Sequence, residues 1–153
     1  MTNNFFASLD QEQAELQFGG GVQLTGEGAA AVLSAPSERL LDIMRNCRDG
    51  GFGADYLADV TAVDRGEAGF EVIYQLFSIK RQVKGTVKTQ TSRSNPQVPS
   101  ITSVWPGTDW MEREVYDLMG VEFSGHPCLK RILLNDEFVG HPLRKDFTMQ
   151  PPE

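Results

Sequence analysis

The spacing of apolar and polar residues changes along the chain, and each change marks an element. In "FFASLDQEQAELQF", Phe5, Phe6, Leu9, Ala14 and Leu16 recur in a loose helical pattern that Gly19-Gly20-Gly21 stops. "VQLTGEGAAAVLSA" reads as two strands around a Gly-Glu-Gly turn. Pro36-Ser37 opens a second helix, with Ser37 as its expected cap, Leu40, Leu41, Ile43, Met44 and Cys47 as its buried face, and Gly50-Gly51 as its stop. Three strands follow in "YLADVTAV", "GFEVIYQLFSI" and "GTVKTQT". In the middle one Phe70, Val72, Tyr74, Leu76 and Ser78 share one face, while Glu71, Ile73, Gln75 and Phe77 share the other. Asp64-Arg65-Gly66 and residues 81–85 are the expected turns, and such short links favour antiparallel neighbours.

Pro96 and Pro99 forbid a regular strand interior between them. A third helix follows, with Asp109 and Glu112 as a capping box, Met111, Val115 and Leu118 as its apolar stripe, an Arg113–Asp117 pair and a stop at Gly120. The pattern predicts a two-layer α+β domain over residues 1–122, ordered helix, two strands, helix, three strands, helix. Its sheet is mixed or mainly antiparallel. Residues 123–153 keep no steady period and are expected to form an extended C-terminal arm.

Composition narrows the class. The 153 residues are 40% hydrophobic and 23% charged, as in an ordinary globular domain. No apolar run approaches the roughly 20 residues of a membrane span, and "MTNNFFASLDQEQ" lacks the marks of a secretory signal. Cys47 and Cys128 are expected to be free thiols. The net charge of −7 argues against bulk nucleic-acid binding. Between Glu71 and Asp109 there is no acid, and Arg81, Lys84, Lys88 and Arg93 make one strand and loop locally positive. A lysine-guarded edge strand explains this, and so does a docking surface for an acidic partner; the edge is the simpler reading.

No motif for a common chemistry is present. GxGxxG, GxxxxGK[ST] and GxSxG are absent, and two cysteines cannot hold a four-cysteine iron–sulfur cluster. His126, Cys128 and His141 are zinc-ligand types, but their spacing matches no zinc signature and a proline follows each histidine. Glu112, Glu114 and Asp117 are expected on an exposed helix face, with no second catalytic group beside them. The chain reads as a body without cofactor or metal, followed by an irregular tail.

That tail, "GHPCLKRILLNDEFVGHPLRKDF", repeats Gly-His-Pro at residues 125 and 140. Each His-Pro step forces extended backbone. Leu129, Ile132, Leu133, Leu134, Phe138, Val139, Leu143 and Phe147 are too apolar for a free coil, so the segment lies on its own domain or on another protein. Residues alone leave both open.

The stretch from Ile101 to Phe147 resembles the 30-kilodalton subunit family of respiratory complex I, the C subunit of NADH:quinone oxidoreductase. The residues that carry the resemblance are Pro99-Ser100-Ile101, Trp105-Pro106, Trp110, Glu112-Arg113-Glu114, Asp117, Gly120, His126-Pro127, Leu129, Arg131-Ile132-Leu133 and Gly140 to Phe147. Cys128, Lys130, Met119 and Phe138 depart from the family's usual Asp, Arg, aromatic and Trp. The resemblance implies a peripheral subunit on the cytoplasmic side of the cell membrane, or the matrix or stromal side in an organelle. It implies no turnover by this chain and no cofactor within it; NADH, FMN, iron–sulfur clusters and quinone belong to partner subunits. Its partners would be other complex I subunits, chiefly the D and B subunits, met through Glu112, Arg113, His126, Arg131, His141, Arg144, Lys145 and Asp146. Membrane attachment would be indirect. Equivalent subunits serve ferredoxin- or reduced-deazaflavin-dependent quinone reductases and membrane hydrogenases, and an adaptor outside any redox complex is the alternative of another class.

Overall fold

The computed structural model describes residues 3–149. Its centre is a mixed sheet in the order β2-β3-β6-β5-β4, formed by β2 (Gln23–Thr25), β3 (Val32–Ser34), β4 (Tyr56–Asp64), β5 (Phe70–Ser78) and β6 (Val83–Thr91). Short turns make β4–β5 and β5–β6 antiparallel, whereas β3 reaches β6 after the chain has passed through a helix and runs parallel to it. A two-residue β1 (Asn3–Asn4) extends the same edge of β6. The expected α+β domain with a mixed sheet is the observed one.

Phe70, Val72, Tyr74, Leu76 and Ser78 are all buried, as the period-2 pattern requires. On the opposite face Gln75 is exposed and Ile73 and Phe77 are half-buried. Glu71 on that face is buried beneath Arg65 (2.8 Å) and Lys88 (3.4 Å). Gly85 on β6 lets Phe6 and Phe52 press against the sheet, where an added Cβ would stand 2.7 Å from both rings.

The N-terminal helix is shorter than its pattern. Phe5–Ser8 form a 3-10 turn, and α1 (Gln11–Phe18) starts afresh at Asp10. The Asp10 carboxylate accepts the Gln13 N–H (2.8 Å), and the Gln13 side chain accepts the Asp10 N–H (3.0 Å). This capping box restarts the backbone and turns Leu16, expected on the apolar stripe, to 88% exposure. Ser37 does not cap α2 (Leu40–Asp49), because a 3-10 turn, Ser37–Arg39, precedes it. Leu40, Ile43, Met44 and Cys47 form the buried face of α2 as expected, whereas Leu41, expected with them, is half-buried.

Pro96 and Pro99 confine β7 (Gln97–Pro99) to three residues, which pair parallel with β8 (Glu122–Ser124). That strand spans the expected start of the arm. α3 (Thr108–Met119) lies between β7 and β8 in sequence and packs on β4. Asp109 and Glu112 do not form a capping box: Gly107 is the N-cap and offers no side chain. The buried residues on α3 include Thr108, Glu112, Val115 and Met119, a stripe at i, i+4, i+7 and i+11. Met111 and Leu118, expected in the apolar stripe with Val115, are half-buried at its margin.

Candidate functional site: a clasped arm on the last helix

Beyond Ser124 the described chain has no helix or strand, yet it is tied to the domain throughout. The first tie is Asp117. It was expected on an exposed face paired with Arg113, but it is fully buried and pairs with Arg131 instead. Its Oδ1 accepts from Arg131 Nη1 at 2.7 Å. Its Oδ2 accepts three successive backbone N–H groups, from Ile132 (3.1 Å), Leu133 (2.8 Å) and Leu134 (2.9 Å). Burial alone would raise the Asp117 pKa, but these four donors overcome it and hold the carboxyl at about 2. Arg131 also donates to the Phe138 and Gly140 carbonyls, 2.9 and 2.8 Å away, and so gathers both ends of the loop between them.

The second tie is the C-terminal end of α3. A helix leaves its last carbonyls without partners. Here every carbonyl from Asp117 to Gly120 is answered by the arm. Arg131 and His141 donate to Asp117 O, Leu143 N–H to Leu118 O, Arg144 Nε to Met119 O and Arg144 Nη2 to Gly120 O. A carbonyl only accepts, so His141 carries its proton on Nδ1. Burial, together with the charges of Arg144 and Arg131, lowers the His141 pKa against the opposing bond to Asp117. Cations at this end also meet the negative pole of the helix. Gly120 ends α3 with φ of 71°, a left-handed position where a Cβ would collide with Arg144 and His141.

The third tie is at the far end of the arm, and the sequence pattern gave no sign of it. Asp64, the last residue of β4, is buried. It accepts from Arg93 Nη1 (2.7 Å), the Gly66 N–H (2.8 Å) and the Lys145 N–H (2.8 Å), 81 residues away. Burial raises the Asp64 pKa, but these donors hold it at about 2. Arg93 also reaches Asp146 at 2.8 Å. The Arg93 and Arg144 guanidinium groups lie over the Phe70 ring, 5.2 and 5.0 Å from its centre. No sequence signal could have paired Asp64 with Lys145, because only the fold brings the β4–β5 turn to the arm.

Glu112 occupies a different niche. It is fully buried, its Oε1 accepting the Ile101 N–H (2.8 Å) and its Oε2 facing the Ser100 hydroxyl (2.6 Å). Burial pushes the carboxyl up to about 7, although the Ser100 and Ile101 bonds pull it down in part and Asp109 adds to the rise. Arg113 donates to the Lys130 and Arg131 carbonyls. His126, its ring fully buried, lies against the Asp109 carbonyl.

Most residues expected at a partner interface are therefore engaged within the chain: Glu112, Arg113, His126, Arg131, His141 and Arg144 all hold intramolecular bonds. Lys145 and Asp146 keep exposed side chains. Cys47 is buried and free, and Cys128 is exposed and free. Among the described residues no three His, Cys, Asp or Glu side chains are grouped to hold one metal ion, and no helix is long and apolar enough to cross a membrane.

This α+β domain is similar to the trypsin-resistant fragment of Nqo5, which superposes with a TM-score of 0.64 and 28% identity, over 77% of this chain and 95% of that one. The C subunit of the NADH-quinone oxidoreductase of Moorella thermoacetica is 42% identical over 149 residues, 97% of this chain and 96% of that protein. The C/D subunit of the NADH-quinone oxidoreductase of Phocaeicola vulgatus is 40% identical over 116 residues, 75% of this chain and 22% of that protein. The family described as "Respiratory-chain NADH dehydrogenase, 30 Kd subunit" matches residues 33–153, and the chain belongs to it.

Proposed function

We propose that the chain is a non-catalytic subunit of an NADH:quinone oxidoreductase, and that its arm docks the quinone-reducing part of that complex. The carrying observation is where the large apolar side chains remain exposed. Of eight such side chains among the described residues, four lie on the arm: Leu133 at 61%, Val139 at 88%, Leu143 at 60% and Met149 at 76%. The clasps use the arm's polar groups and leave these four outward. Fully covering such a side chain is worth roughly 1.5–3 kcal/mol, so a partner that buried all four would gain a useful share of its affinity.

The D and B subunits are the proposed partners. The Phocaeicola vulgatus relative, which bears the double designation C/D, supports the first. Lys145 and Asp146 are the proposed polar contacts at the rim of this surface. NADH, FMN, the iron–sulfur clusters and quinone are assigned to other subunits, and this chain is assigned the cytoplasmic face, held to the membrane through them. The test is to place Leu133→Asp and Leu143→Asp in the native complex. The isolated chain should melt as wild type, while recovery of the assembled complex falls. Normal assembly would overturn the docking role. Stoichiometric iron or zinc in the purified chain would overturn the assignment of cofactors to partners.

A further inference from the structure

Glu112 and His126 are buried side by side, with Glu112 Oε2 and His126 Nε2 4.0 Å apart. Among the described residues no Lys or Arg lies within ion-pair distance of Glu112, whereas Asp64 and Asp117 each have one and Glu71 has two. The ring of His126 is oriented by two backbone contacts. Its Nδ1 accepts the Cys128 N–H at 3.0 Å, so that nitrogen carries no proton. Its Nε2 must then carry the hydrogen, and it donates to the Asp109 carbonyl at 3.2 Å. A single N–H thus stands among three acceptors, the Asp109 carbonyl at 3.2 Å, an Asp109 carboxylate oxygen at 3.8 Å and a Glu112 carboxyl oxygen at 4.0 Å.

The other groups around the pair come from three elements. Asp109, on α3 itself, places Oδ1 3.8 Å from His126 Nε2 and 3.9 Å from Arg113 Nη1. Ser100, after β7, bonds both Glu112 and the Thr102 hydroxyl (2.9 Å). Tyr74, on β5, is buried with no partner for its hydroxyl among the described residues, and the Glu112 charge acts on it. A neutral Glu112 carboxyl suits this surrounding, because a carboxylate there would have two hydrogen-bond donors and no counter-charge.

We propose that Glu112 is a proton-operated switch for one hydrogen bond: when its carboxyl loses a proton to solvent, the His126 Nε2–H turns from the Asp109 carbonyl to the Glu112 carboxylate. The His126 ring is fully buried and its Nδ1 holds the Cys128 N–H, so a turn of the ring is passed to the arm's entry. The Cys128 N–H, which reads the other ring nitrogen, moves with it. The switch therefore couples the protonation of a buried acid on α3 to the seating of the segment that carries the outward apolar residues. It acts on that segment whether or not the docking role holds.

The test is an NMR titration of the full chain labelled at the glutamate carboxyl carbon and the histidine ring nitrogens, across pH 5 to 8.5. The expected result is a Glu112 midpoint near neutrality, with the His126 Nε2–H and Cys128 amide signals moving at that same midpoint. Glu112→Gln keeps the neutral hydrogen bonds and should abolish the shared transition. Ser100→Ala removes a donor to the carboxylate and should move the midpoint upward, by about one pH unit. A Glu112 carboxyl that titrates in the ordinary range overturns the proposal. So do His126 and Cys128 signals that ignore its titration. If Glu112→Gln does not fold, the coincidence or separation of the wild-type midpoints still decides.

Discussion

Asp117→Asn is the sharpest perturbation of the arm's attachment, because the side chain keeps its shape and loses its charge. One Asn oxygen can still receive the amides of Ile132, Leu133 and Leu134, which Asp117 Oδ2 accepts at 2.8 to 3.1 Å. The Asn nitrogen then faces Arg131 Nη1, donor against donor, where Oδ1 accepted at 2.7 Å. Removing one partner from a buried ion pair costs about 3–5 kcal/mol. Arg131 retains the Asp117, Phe138 and Gly140 carbonyls, so the expected cost is at the lower end, about 3 kcal/mol. For a chain of this size that corresponds to a fall in Tm of roughly 6–12 °C. Thermal and urea unfolding, followed by the fluorescence of Trp105 and Trp110, should show it. Combining Asp117→Asn with Arg131→Leu should reveal a coupling of at least about 1 kcal/mol. Hydrogen exchange at Ile132 to Leu134 should accelerate together. A denaturation midpoint equivalent to within about 0.5 kcal/mol of wild type, with exchange unchanged, would show that Asp117 does not hold the arm.

The pH profile should have two limbs of opposite origin. Asp117 and Asp64 have pKa values held at about 2 against an ordinary 3.8, so their stabilisation is present above pH 3.8 and is lost as pH falls toward 2. Glu112 is raised from an ordinary 4.5 to about 7, so its contribution is full below pH 4.5 and lost as pH rises through 7. Urea midpoints measured from pH 2 to 8.5 should therefore peak between these limbs, and Glu112→Gln should flatten only the upper one. Asp10→Ala should cost about 1 kcal/mol in unfolding experiments, whereas Asp109→Ala, which caps nothing, should stay within about 0.5 kcal/mol. Gly85→Ala drives a methyl into the Phe6 and Phe52 rings and should cost about 1–3 kcal/mol by the same measurement.

Local patterns in the sequence determined the elements whose identity depends on neighbours a few residues away. The alternation in residues 70–78 placed Phe70, Val72, Tyr74, Leu76 and Ser78 on one buried face, and the stretch after Pro36 gave α2 its buried stripe. The dense motif from Ile101 to Phe147 was sufficient for the family. The tertiary structure decided what the polar residues do. Glu112 and Asp117 look like surface charges in a helix pattern, because a pattern of apolar residues cannot show that a carboxylate will find donors when buried. Asp117 is buried because Arg131 and three amides arrive from 14 to 17 residues away. Asp64 meets the arm across 81 residues. Apolar burial follows from period, since water is the common alternative to every packed face. A buried charge depends on partners at specific positions and angles, and only the complete fold supplies them.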